Sequence, residues 1–150
     1  MGYTLKIGEA NIENYPEDGY MTIGVESVEN KEAPAFGEPT DYTNSRWPSY
    51  TAWANFSRFV NLYEFFFDED EGLIRQHPGV APLTEKHRET VNKAYDDFLI
   101  KYPNTEAGFA PDGKDEDFPE ANQWLTRLVW LKYWVNWSLD NCKNPTFYNS

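Results

Sequence analysis

Thr43, Asn44, Ser45, Arg46 and Ser49 stand close together and run straight into an apolar, helix-patterned segment that begins near Tyr50. Free backbone N–H groups and the positive end of the helix dipole gather at such a point. Arg46 adds a guanidinium suited to a carboxylate or phosphate, and Trp47, Tyr50 and Trp53 would form an aromatic shelf beside it. The chemistry expected is anion binding, with Thr43, Asn44, Arg46, Ser49, Tyr50 and Trp53 as the candidate ligand site. The competing reading is internal: Arg46 pairs with a local acid, and the hydroxyls cap and turn the chain.

The acids form a second grouping. Asp68, Asp70 and Gly72 have the alternation with which calcium loops open. The glycine comes one step early, however, and no glutamate closes the loop. Asp112, Asp115, Glu116 and Asp117 show no ordered ligand pattern, and neither His77 nor His87 has a cysteine partner or a histidine at helical ligand spacing. Neither metal nor cofactor is expected. Cys142 falls near a helix C-terminus, where the dipole raises a thiol pKa and makes a poor nucleophile. His77, near Arg75 and Pro78, is a loop histidine able to take a proton, with a plain surface residue as the competing reading. Gly-x-Ser-x-Gly, the P-loop and the dinucleotide fingerprint are missing from the sequence. With 25 acids in the chain, a carboxylate pair can be drawn in many ways, so no catalytic residue is assigned.

The elements that must hold these groups follow from periodicity. Tyr3, Leu5 and Ile7 alternate with polar residues, as do Met21, Ile23 and Val25, and Pro16-Glu17-Asp18-Gly19 lies between them as turn chemistry. Strands within 3–28 are expected, forming a hairpin or a meander with Ala10 and Ile12 in a middle strand. Residues 29–48, with three prolines, read as a long loop. A helix from about 50 to 67 puts Ala52, Trp53, Phe56, Phe59, Val60, Tyr63, Phe66 and Phe67 on one arc, with Ser49 as its cap. Its end meets Asp68, Glu69, Asp70 and Glu71, four acids that oppose the macrodipole. A second helix spans about 85–102, capped by Thr84 and ended by Pro103, with His87, Val91, Ala94, Tyr95, Phe98, Leu99 and Tyr102 on its apolar side. A third spans about 118–142, opened by Asp117, Pro119 and Glu120. It carries two stripes: Trp124, Leu128, Leu131, Val135 and Leu139 on one side, Trp130, Tyr133, Trp134 and Trp137 on the other. The tail 143–150 reads as short and mostly polar. The expected fold is α+β, one domain over 1–150: a small N-terminal antiparallel sheet packed against three helices, the Trp-rich C-terminal helix central.

Composition limits the partners. The net charge is −12 in 150 residues, and the first 48 residues hold nine acids against three bases. That surface repels phosphate backbones, so general nucleic-acid binding is not expected. It attracts basic protein surfaces, although charge also serves to keep an aromatic-rich chain soluble. Cys142 is the single cysteine, which fits a reducing compartment. The opening residues do not read as a secretion signal, and the longest apolar stretch holds Arg127, Lys132 and Asn136. The expectation is a cytoplasmic chain that does not enter a membrane. The sequons at Asn55 and Asn136 fall inside expected helices and read as chance.

Three segments carry a resemblance: Asp41-Tyr42-Thr43-Asn44 leading to Pro48-Ser49-Tyr50-Thr51-Ala52-Trp53, His77-Pro78-Gly79, and Asn141-Cys142-Lys143-Asn144-Pro145 through Tyr148-Asn149-Ser150. In these the chain resembles small acidic proteins encoded by bacteriophages. The resemblance implies a phage accessory protein acting in the host cytoplasm, on a host or phage protein with a basic surface. It carries no activity and no site residue. The leading expectation is therefore a non-enzymatic interaction module that binds or inhibits a host factor. Its expected surface is Asp68, Glu69, Asp70 and Glu71 together with Trp130, Trp134 and Trp137, and a homodimer is expected if the tryptophan side is left bare. The alternative is an anionic-ligand binder built on Arg46, and a hydrolase comes third.

Overall fold

A computed structural model of the chain describes residues 3–10, 25–26, 44–47, 50–105 and 120–150. The architecture is α+β, as the periodicity predicts. Along the described chain run β1 (Tyr3–Ala10), β2 (Val25–Glu26), β3 (Asn44–Trp47), α1 (Tyr50–Phe59), α2 (Tyr63–Phe67), β4 (Gly79–Pro82), α3 (Glu85–Lys101), α4 (Glu120–Asn141) and β5 (Pro145–Asn149). The turn at Pro16–Gly19, the Met21–Ile23 row, the Ser49 cap and the Asp117–Pro119 helix start lie outside the described residues.

The sheet is antiparallel throughout and runs β2-β1-β5-β4, with β3 also on β1. Along one side of β1, Tyr3–Lys6 pair with β3 and Glu9–Ala10 with β2. Along the other side, Leu5–Glu9 pair with β5. Two expectations change here. Part of the loop over 29–48 is a strand, because Asn44–Trp47 supply the backbone partners of the first half of β1. The tail 143–150 is the strand that joins β1 to β4, not a polar end. The sheet is therefore N-terminal in only one of its two central strands.

Register explains the core. Ile7, Phe147 and Ala81 lie opposite one another on β1, β5 and β4, and all three are buried. The ring of Phe66 packs on Phe147 at 5.9 Å, and Trp53 packs on Phe66 at 5.1 Å and on Phe56 at 5.0 Å. Burying side chains of this size contributes about 1.5–3 kcal/mol each.

The helix expected over 50–67 is two helices, so the described chain has four. Leu62 N–H donates to Ser57 C=O at 2.7 Å and Asn61 N–H to Arg58 C=O at 3.3 Å, while Asn61 takes φ 61°. This is a Schellman ending, with asparagine in the left-handed position. It turns α2 so that Phe66 reaches the sheet.

Helices α3 and α4 are antiparallel. Arg88 Nη2 meets Asp140 Oδ1 at 2.8 Å, Asn136 Nδ2 donates to Asn92 Oδ1 at 2.9 Å, and Lys132 lies 4.1 Å over the Tyr95 ring. Numbers rise along one helix as they fall along the other. Val91, Ala94 and Phe98 bury the inner side of α3. Both stripes of α4 are covered: Leu128, Leu131 and Val135 are fully buried, and so are Trp130 and Trp134, at 2% and 0% exposure. Helix α4 contacts both the sheet and α3, so its apolar stripes are core while Lys132, Asn136 and Asp140 make its polar contacts to α3.

Candidate functional site

The acidic run following α2 is shaped by its backbone. Leu73 N–H donates to Phe65 C=O at 3.0 Å and Ile74 N–H to Phe66 C=O at 2.7 Å, so the chain loops over the C-terminal end of α2 and takes up two of its free carbonyls. Leu73 and Ile74 are buried by this return. Gly72 sits at its closest point. A Cβ there would lie 2.5 Å from Phe66 O, 2.6 Å from Asp68 N and 2.7 Å from Asp68 O. Asp68 Oδ2 accepts the N–H groups of Asp70 at 3.1 Å and Glu71 at 2.9 Å. Asp68 thus follows from a turn that its carboxylate caps. All four acidic side chains of the run remain exposed. Glu71 meets Lys86 of α3 at 3.5 Å, whereas the Glu69 and Asp70 carboxylates have no bonding partner among the described residues.

Beside this turn a groove of about 830 Å³ opens between α2, β4 and the start of α3. Its apolar lining includes Phe65, Leu73 and Ala81. Helix α2 and the turn contribute the carboxylates Glu64, Asp68 and Glu71, while the returning segment contributes Arg75 and α3 contributes Lys86. Arg75 Nη1 donates to Gly72 C=O at 3.3 Å. His87 closes the first turn of α3: its Nδ1 accepts the Thr84 N–H at 2.9 Å, and its ring meets Phe65 edge-on at 5.4 Å. Burial holds the His87 imidazole below its usual range, the Lys86 charge pushes the same way, and Glu71 opposes them.

The expected anion site fares differently. Thr43 and Ser49 lie outside the described residues. Asn44 and Arg46 stand on β3, opposite Lys6 and Thr4 of β1, and Tyr50 opens α1. Trp53 is fully buried against Phe56 and Phe66. It is a core residue and cannot serve as a shelf for a ligand. Trp130 and Trp134 likewise leave the expected partner surface, because both are buried in the hydrophobic core. Trp137 stays half-buried, 5.3 Å from the Trp134 ring.

His77 Nδ1–H donates to Asn149 Oδ1 at 2.5 Å, and Asn149 Nδ2 donates to Gln76 C=O at 3.0 Å. This histidine fastens the end of β5. Burial pushes the Cys142 thiol up to about 11, with help from Glu9 and against a hydrogen bond from Ser138. Among the described residues no three His, Cys, Asp or Glu side chains converge to hold a metal ion. No described helix is long and apolar enough to cross a membrane.

The groove residues Glu64, Arg75 and Lys86 were not visible in the sequence pattern. Gly72 is the only local sign that the chain folds back there, and the meeting of α2 with α3 is non-local. Comparisons with protein-family models, with curated proteins and with solved structures gave no match.

Proposed function

We propose that this chain is a non-enzymatic protein-interaction module that receives a basic partner on the acidic turn at 68–71. One observation carries the reading: the acids project into solvent from a backbone that is already fixed. Gly72 packs against Phe66 and Asp68, and the Asp68 carboxylate caps the turn. A charged surface held in place loses little conformational freedom on binding, which favours affinity. The net charge of −12 draws basic partners toward the chain at long range. Resemblance to phage-encoded proteins makes bacterial host proteins the first partners to try.

The test is binding of a fluorescent lysine-rich peptide, followed by anisotropy at low and high salt. Wild type should bind, with affinity falling as salt rises. The double variant Glu69→Gln, Asp70→Asn should bind several-fold more weakly while melting like wild type. Unchanged binding by that variant would contradict the reading. Affinity capture from a bacterial lysate at the two salt concentrations then identifies the physiological partner.

A further inference from the structure

We propose that the groove beside the acidic turn holds an extended partner segment of mixed charge, with a basic and an acidic side chain flanking an apolar one. This rests on the reading of the turn as a partner surface and names what the partner must carry. A surface made for polybasic chains would be acidic throughout, and the turn tip at Glu69 and Asp70 has that character. The groove does not. Its lining brings the carboxylates Glu64, Asp68 and Glu71 together with the cations Arg75 and Lys86, around the half-buried ring of Phe65 and the exposed Pro82.

The charges differ in how far they are engaged. Glu71 and Lys86 meet each other at 3.5 Å, with both side chains more than three-quarters exposed, so neither is held tightly. Among the described residues the Arg75 guanidinium makes one bond, to the Gly72 carbonyl, and leaves most of its donors unused. Glu64 has no side-chain partner among the described residues, while its backbone carbonyl is fixed by Asp68 N–H at 3.1 Å. A carboxylate and a guanidinium therefore stand ready beside the apolar surface of Phe65 and Pro82. Uniformly basic chains would satisfy Glu64 but be repelled by Arg75.

The sign of the Arg75 effect makes the test decisive. Two labelled peptides of equal length are compared, one of repeating Lys-Leu-Glu triplets and one of lysine alone. The triplet peptide should bind wild type more tightly. Glu64→Gln and Arg75→Gln should each weaken it about fivefold or more. Arg75→Gln should leave the lysine peptide unchanged or bind it more tightly, because a repulsive charge is gone. Both positions are exposed or edge the groove, and melting curves confirm that the variants fold. Triplet binding that ignores Arg75→Gln would overturn the mixed-charge groove. If lysine-peptide binding still depends on Glu69 and Asp70 in that case, the acidic-turn reading survives alone. If neither peptide binds wild type, both fall.

Discussion

Gly72 and Asn61 are single residues on which the site's shape depends, for different reasons. At Gly72 any side chain must enter space held by the Phe66 carbonyl and the Asp68 backbone. Gly72→Ala should lower stability by about 1–3 kcal/mol, read as a fall in the urea midpoint, and should weaken peptide binding in proportion to the lost turn. A variant as stable as wild type would show that the return at 72–74 is looser than described. Asn61 instead holds a left-handed backbone, which costs a β-branched residue about 1–2 kcal/mol and glycine almost nothing. Asn61→Val should destabilise the chain and Asn61→Gly should not. His87 gives a pH signature. Its folded pKa lies below the ordinary 6.5, mainly through burial. The unfolded chain therefore takes up the proton first, and stability should fall as pH drops through 6.5, levelling off below the folded value. His87→Gln should flatten that part of the pH–stability curve. Cys142 offers a chemical probe: with its thiol pushed up to about 11, alkylation should keep accelerating above pH 9, where a free thiol levels off. Glu9→Gln should bring the levelling point down, since Glu9 is one of the charges that raise it.

Among the elements, α4 and β5 carry the fold. Trp134 is fully buried and lies against Tyr133 and Trp137. Trp134→Ala should destabilise the chain by about 3–5 kcal/mol, measured by denaturant unfolding, without changing its oligomeric state. A variant of full stability would contradict the core role. Helix α4 was readable from its 3.6-residue stripes, and α3 from its Thr84 start and its Val91, Ala94, Phe98 side. Strand β1 was readable from the alternation of Tyr3, Leu5 and Ile7. Strand β5 was not, because its buried positions include Thr146 and Asn149 alongside Phe147, so the apolar alternation that marks a strand is missing. Those polar groups are satisfied: Thr146 Oγ1 donates to Asn144 C=O at 2.9 Å, and Asn149 bonds the distant Gln76 and His77. The connection into β5 is fixed by Glu9, whose two oxygens accept the N–H groups of Lys143 and Asn144 at 2.9 and 2.5 Å. A contact across 134 residues leaves no local trace. Strand β4 was hidden between Pro78 and Pro82. Leu83 N–H donates to Pro145 C=O at 2.9 Å, so by alternation Pro82 falls at an outward position, where its missing N–H suits a sheet edge. The break between α1 and α2 was hidden because Val60, Tyr63 and Phe66 continue the apolar arc across Asn61, where the helix ends.

At the scale of the molecule, the aromatic wealth of the chain and its acidity have separate uses. Trp53, Trp130, Trp134, Phe56, Phe66 and Phe147 are fully buried. The tryptophans that looked like a recognition surface are thus mainly core material. Among the described residues the one large hydrophobic side chain left open is Ile100, at 79% exposure, so charge is the main means by which the described surface can select a partner. The acids 68–71 and the adjoining groove are where the backbone holds that charge in a defined shape. Partner binding should therefore be strongly salt-dependent, since exposed charges are screened beyond about 8–10 Å at physiological ionic strength. The most direct measurement is a heteronuclear NMR titration of the labelled chain with a lysine-rich peptide at low salt. Amide shifts should concentrate at 64–75 and shrink when salt is raised. Shifts centred on other segments, or shifts at 64–75 that persist unchanged in high salt, would contradict the acidic-turn reading.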